Sequence, residues 1–245
     1  MKSLILQILL VIVTNLSLIL NIDTATETAS VSLSNNGISM AYYQHGQQKD
    51  HASFIHSAIK TIVDNSGIQL SMLSAIAVTS GPGSYTGLRV GMATAKGLCY
   101  ALSKPLILIN TLQVMAQAAL QIIEDRIPQS WLCPMIDARR MEVFTAIYDE
   151  QLATIMQPSA IILEENSFDT FLAKNDIYFF GSGSKKWQAI APKNKTFFVE
   201  VQHNSKHLGQ LAAIAFTQKQ FADLSYSELS YLKEMYIIAQ KGKKV

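Results

Sequence analysis

The sequence predicts a two-lobed α/β protein, and three observations carry that prediction. Strand-like and helix-like segments alternate through its first half. An apolar strand runs straight into a glycine-rich turn and a helix, SGPGSYTGLRVGMATAKGL over 80–98. Beyond Pro128 a looser version of the pattern returns. A chain of 245 residues, 49% hydrophobic and 16% charged, can hold one large core or two of about 100 residues each, and it is not of the disordered class. A net charge of +2 does not by itself imply a nucleic-acid surface. Cys99 and Cys133 form no CxxC pair, so both read as buried free thiols.

Residues 1–15 are the one place where targeting enters. The stretch MKSLILQILLVIVTN can be read as a signal peptide or anchor, as an added strand or helix, or as an extension from a misplaced start. The third reading has the support that LSLILNIDTATETASVSL over 16–33 already forms a complete first hairpin.

The first lobe is placed at 16–127. SLILNID and ASVSLSNNG are strands, and Asn35, Asn36 and Gly37 turn the chain into a third, ISMAYYQ. A helix is predicted from about Ala52 to Asn65, because Phe54, Ile55, Ala58, Ile59, Ile62 and Val63 recur on one face. The strand LSAIAVTS then feeds the glycines, and a helix from about Gly87 to Leu102 stops before Pro105. LILIN is the next strand and TLQVMAQAALQII the next helix. The second lobe is placed at 128–240. WLCPMIDARRMEVFTAIYDE reads as two strands around the turn Asp137–Arg140, IYFFGSGSKKW as a strand entering a second, structural glycine turn at Gly181 and Gly183, and 205–220 as an amphipathic helix. Residues 241–245 form a basic tail, either without fixed structure or in contact with tRNA.

Chemistry-bearing residues are few. Pro82 between Gly81 and Gly83 allows a sharp reversal, with Ser84 or Thr86 capping the helix behind it. The amides of such a turn can hold an anion. The block lacks a closing GKS or GKT and is not GxGxxG, so a phosphate loop and a packing turn both stay open. Asp23, followed by Thr24, is either a turn cap or a ligand contact at a strand end. Arg89 is a surface residue or an anion or partner contact. Asp137, Arg139 and Arg140 form a solvated hairpin or a contact to the cleft or a partner, and the arginines point to opposite sides if that segment is extended. His45, His51, His56, His203 and His207 read as solvated or capping residues, with no carboxylate near the last two in sequence. GPGSY lacks the GxSxG order of a hydrolase elbow.

Taken together, ILNIDTATETASVSL, SAIAVTSGPGSYTGLRVGMATAKGL, MIDARRMEVFTAIYD and YLKEMY resemble the bacterial TsaB (YeaZ) family, in order and over about 17–238. The resemblance implies a fold of the actin, sugar kinase and Hsp70 class, each lobe a mixed sheet with helices. It implies a non-catalytic subunit that forms homodimers and a heterodimer with the catalytic TsaD, assembles with the ATPase TsaE, and supports threonylcarbamoyl transfer to adenosine 37 of tRNAs reading codons that begin with A. ATP, magnesium and a metal on the catalytic partner are implied for the complex, with no cofactor assigned to this subunit. A cytoplasmic location without stable membrane association is also implied, with tRNA met through the assembled complex. The catalytic relative binds its metal through two histidines of a VNHxxGH-like segment. INTLQVM stands in that place here, putting Thr111 and Met115 where the histidines would be, and neither is a good ligand for ions used with phosphate.

For association, the helix carrying Gly87, Gly91, Ala95 and Leu98, beside the one carrying Phe54, Ile55, Ala58, Ile59 and Ile62, offers small and apolar surface. That surface serves either a partner or the monomer's own core. The alternative function is a nucleotide-dependent ATPase or kinase using Asp23 and the GPGS turn.

Overall fold

The computed structural model describes residues 17–45 and 51–230, together with Leu232. The expectations for 1–15 and for the tail at 241–245 lie outside the described residues. Two five-stranded sheets are built to one plan. The first contains β1 (Leu18–Asp23), β2 (Ala29–Asn35), β3 (Ile38–His45), β4 (Ala75–Thr79) and β5 (Leu106–Ile109) in the order β3-β2-β1-β4-β5. The second contains β6 (Trp131–Asp137), β7 (Glu142–Tyr148), β8 (Thr154–Ile162), β9 (Ile177–Phe180) and β10 (Thr196–Phe198) in the order β10-β9-β6-β7-β8. Read from its third strand, each sheet follows the order 3-2-1-4-5, with the first three strands antiparallel and the last two parallel. This duplicated two-lobed arrangement is the fold that the sequence predicted.

Helix α1 (His51–Ser66) and helix α2 (Tyr85–Leu102) cover one face of the first sheet. Ile55, Ala58, Ile59 and Ile62 from α1 meet Met92, Ala95 and Cys99 from α2 over Leu20, Ile22, Val31 and Leu33 of the sheet. The α1 periodicity is the one predicted. Helix α2 starts two residues earlier than expected because Ser84, not Thr86, is its cap, its hydroxyl accepting the Gly87 N–H at 3.3 Å.

The two lobes exchange helices. Helix α3 (Thr111–Ile122) follows the first sheet in sequence, yet Leu112, Met115, Ala116 and Ala119 pack with Leu132, Ile136, Ala146 and Phe180 of the second. Helix α6 (Ser205–Thr217) follows the second sheet and returns to the first, where Leu208, Leu211, Ala212 and Ala215 join Ile19, Ala77 and Ile107. The placement of 205–220 in the second lobe is therefore corrected: the helix belongs to the first lobe in space.

A polar seam holds α6 there. Strand β2 alternates, sending Val31 and Leu33 to the α1–α2 side and Ser30, Ser32 and Ser34 to the other, all buried. Ser30 Oγ accepts the Ser205 N–H at 2.8 Å, and Ser32 Oγ donates to the Ser205 carbonyl at 2.9 Å. Gly209 lets the helix lie close, since a Cβ there would stand 2.9 Å from Asn21 Nδ2. Short helices α4 (Asp169–Leu172) and α5 (Ser184–Gln188) complete the second lobe, whose aromatic core joins Phe168, Phe179 and Trp187. Among the described residues, no helix is long and apolar enough to cross a membrane.

Candidate functional site

Two features stand out: a cleft between the lobes and a groove on the outer face of the first. The cleft encloses about 630 Å³. Thr26, Glu27, Thr28, Gln44 and Ser84 line it from the first lobe, Asp137, Ser182, Gln202 and His203 from the second, with Met115 of α3 between them.

The glycine turn opens toward this cleft and is tied to the rest of the chain by backbone hydrogen bonds. Ser84 N–H donates to the Ala25 carbonyl at 2.7 Å, the Gly81 carbonyl accepts Thr111 N–H at 2.9 Å, and the Ser80 carbonyl accepts Ser230 N–H at 2.8 Å. A Cβ on Gly83 would stand 2.1 Å from the Ala25 carbonyl oxygen, and one on Gly91 would stand 2.3 Å from Thr24 Oγ1. Thr24 Oγ1 itself donates to the Gly87 carbonyl at 2.8 Å. Gly81 adopts φ +105°, a conformation that suits glycine. These contacts make the stretch a packing turn, which presses the head of α2 onto the end of β1. Thr86 is exposed and caps nothing. The second glycine turn repeats the device, with Gly181 and Gly183 against the backbone of β6.

Asp23 is 1% exposed. Its Oδ1 accepts the Ala25 N–H at 3.2 Å and the Thr79 hydroxyl at 3.1 Å, which makes it a turn cap. Its Oδ2 faces His203 Nε2 at 3.5 Å. This pairing joins residues far apart along the chain, so no local spacing reveals it. His207, one helical turn further on, accepts the Asn204 N–H on Nδ1 at 3.1 Å and closes a capping box. Burial first, then the neighbouring His203 and Lys206, pull its pKa down to about 4, against the smaller raising effects of the Asn204 backbone and Asp23. Burial, and secondarily Asp23, also raises the Tyr42 phenol. Lys206 lies over the Tyr42 ring at 4.6 Å.

On the second lobe's lip, Asp137 accepts Lys186 Nζ at 2.7 Å and Arg139 N–H at 2.6 Å, and these hold its carboxyl below the usual range, the lysine contributing most. Arg139 and Arg140 are both exposed, with φ of 71° and 50°. The segment is thus a tight turn, and the extended arrangement that would splay the two side chains is corrected. Arg89 lies with its guanidinium 3.9 Å from the centre of the Tyr85 ring. Thr111 and Met115, at the positions of the catalytic relative's histidines, are buried core residues at the start of α3.

The groove between α1 and α2, also about 630 Å³, is lined by Ile59, Val63, Leu70, Ala93, Gly97 and Leu98 and rimmed by Lys60 and Asp64. This corrects the expected association surface. Ile55, Ala58, Ile62, Gly87, Gly91 and Ala95 are buried within the monomer, and Phe54 packs partly against the same core. Of the residues named in advance, Ile59 and Leu98 reach the groove. Side chains at helical spacing divide between an inner and an outer stripe, and most of those named in advance turn inward.

The family model described as TsaD: tRNA N6-adenosine threonylcarbamoyltransferase matches residues 45–244. The tRNA threonylcarbamoyladenosine biosynthesis protein TsaB of Haemophilus influenzae is 31% identical over 228 residues, which span 89% of this chain and 94% of that one. The protein of the same description from Escherichia coli is 38% identical over 130 residues, 53% of this chain and 54% of its own. Among solved structures, YeaZ from Pseudomonas aeruginosa superposes with a TM-score of 0.73 at 26% identity, covering 88% of this chain and all of that one.

Proposed function

Because the chain belongs to the TsaB family, we propose that it is the non-catalytic scaffold subunit of a tRNA threonylcarbamoyladenosine-forming complex. It pairs with itself and with a TsaD-type catalytic relative, and through that pairing supports threonylcarbamoyl transfer to adenosine 37 of tRNAs reading codons that begin with A. One observation carries the reading: the α1–α2 groove turns an apolar surface outward.

Chemistry and symmetry both suit the groove to a relative of the same fold. Its floor is aliphatic and small. Its rim carries the exposed Lys60–Asp64 pair, 3.0 Å apart, so two such rims related by a twofold axis present each cation to the other's carboxylate. Ion pairs at an exposed rim set orientation more than affinity, which leaves the apolar floor to supply the binding energy.

The wider assembly belongs to the same proposal. A TsaE-type ATPase joins the pair, ATP and magnesium serve the complex, the metal sits on the catalytic partner, and tRNA is met through the assembly in the cytoplasm. Light scattering on the chain mixed with its TsaD-type partner tests the core of it: a heterodimer is expected. Two non-interacting monomers would refute the scaffold role.

A further inference from the structure

A groove of about 710 Å³ runs between the β2–β3 turn and the C-terminal half of α6, on the face of the first sheet opposite α1 and α2. Ser17, Ile38, Gln210, Ala213, Ile214 and Thr217 are among the residues that line it. Unlike the cleft and the α1–α2 groove, it has no ionisable side chain in its lining. Ile38 is 75% exposed and Ile214 54%. A single exposed aliphatic residue needs no explanation, but two lining one groove mark a surface that favours cover. The chain enters β1 at the edge of this groove. Ser17 is fastened there: the Asn36 Oδ1 accepts its N–H at 3.0 Å and its hydroxyl at 2.9 Å, and its carbonyl accepts the Asn36 N–H at 3.2 Å. The preceding residues are thus delivered to the groove with no linker between.

We propose that residues 4–16 of the same chain dock in this groove as an intramolecular cover, set against Ile38 and Ile214 and leaving the α1–α2 face free. The chemistry of the segment matches the site. Ten of the thirteen residues from Leu4 to Leu16 are Leu, Ile or Val, and none is charged. An ionic ligand finds no counter-charge in the lining, whereas an uncharged aliphatic segment leaves no charge buried without a partner. Length suffices as well: about six extended residues span roughly 20 Å, the length of the thirteen-residue α6. Tethering favours this occupant over any other. A segment joined to the groove's edge meets it at an effective concentration in the millimolar range or above, which a second copy or a free partner does not reach.

The test is the rate of maleimide labelling at Ile38→Cys, in the full chain and in a chain lacking residues 1–16. The native thiols Cys99 and Cys133 are buried and give the background. At low micromolar concentration without lipid, the full chain should label at least tenfold more slowly than the shortened one. Adding Ile214→Glu to the full chain sets a charge in the groove and should restore the fast rate with an unchanged circular dichroism spectrum. Equal rates in the full and shortened chains would overturn the proposal. So would protection that rises with protein concentration, which assigns the groove to a second copy, or protection seen only with vesicles of phosphatidylcholine and phosphatidylglycerol, which assigns the segment to a lipid surface. Should the shortened chain not fold, Ile214→Glu supplies the comparison, and a rate as slow as that of Ile38→Cys alone refutes docking. No TsaD-type partner or tRNA enters this experiment, so its outcome is independent of the scaffold reading.

Discussion

Gly83 and Gly97 occupy opposite situations within one motif. A methyl group on Gly83 would run into the Ala25 carbonyl at 2.1 Å, and neither backbone can yield without opening the β1–α2 contact. Gly83→Ala should therefore cost about 3 kcal/mol or more in urea unfolding, at or beyond the upper end of ordinary overpacking. Gly97 has nothing within 4 Å of an added Cβ, so Gly97→Ala should gain up to about 1 kcal/mol from helix propensity alone. Equal effects of the two substitutions would contradict the assignment of the turn as a packing device. The thiols permit a second check. Burial pushes Cys99 up to about 11 and Cys133 up to about 12, against smaller lowering hydrogen bonds. Neither should be alkylated by iodoacetamide at pH 8 in the native protein, and mass spectrometry should find both modified after denaturation.

At the scale of elements, the entry to α6 should be sensitive to acid. His207 accepts a hydrogen bond on Nδ1, which requires that nitrogen to be unprotonated, and its folded pKa is about 4 against an ordinary 6.5. The unfolded chain therefore binds the proton first as pH falls. Stability contributed by neutral His207 is complete above about pH 6.5, declines from there to about pH 4, and is flat below, with a total change of about 3 kcal/mol at most. Subtracting the pH profile of His207→Asn, which keeps a neutral acceptor, should isolate that slope. Identical profiles would show that the imidazole does not titrate as its burial requires. The same region shows what the sequence conceals. Amphipathic periodicity made α6 legible, but no periodicity says which sheet a helix will cover, and the serines of β2 look like a solvent face although they lie under α6. Strand β8 escaped notice for a related reason: Pro158 interrupts it, and only its position at a sheet edge makes a proline tolerable there.

For the whole molecule, the two-lobed plan was readable because strand, turn and helix signals are local. The candidate site was readable only in part. Asp23 and the glycine turn could be named from their residue types, but their partners His203 and Ser230 come from elsewhere along the chain. The outward-facing residues of α1 and α2 were hidden in the same way, since apolar residues at helical spacing do not announce which stripe faces out. Large charged residues placed on the inner stripe, as in Ala95→Glu, should unfold the subunit and so report nothing on association. Gly97→Arg instead grows from open space into the α1–α2 groove. It should leave the circular dichroism spectrum and melting midpoint intact while weakening both self-association and pairing with the catalytic relative at least tenfold by light scattering.

The central claim, that this chain acts by holding a catalytic relative through the α1–α2 groove, is tested most directly by reconstituting tRNA modification. The mixture contains the TsaD-type partner, the TsaE-type ATPase, threonylcarbamoyl-adenylate and tRNA. Threonylcarbamoyladenosine is then measured in nucleoside digests with the wild-type chain, with Gly97→Arg, and with the chain left out. Full modification with wild type, and a loss with folded Gly97→Arg that parallels its loss of association, is the predicted result; modification that proceeds equally in all three mixtures would contradict the account.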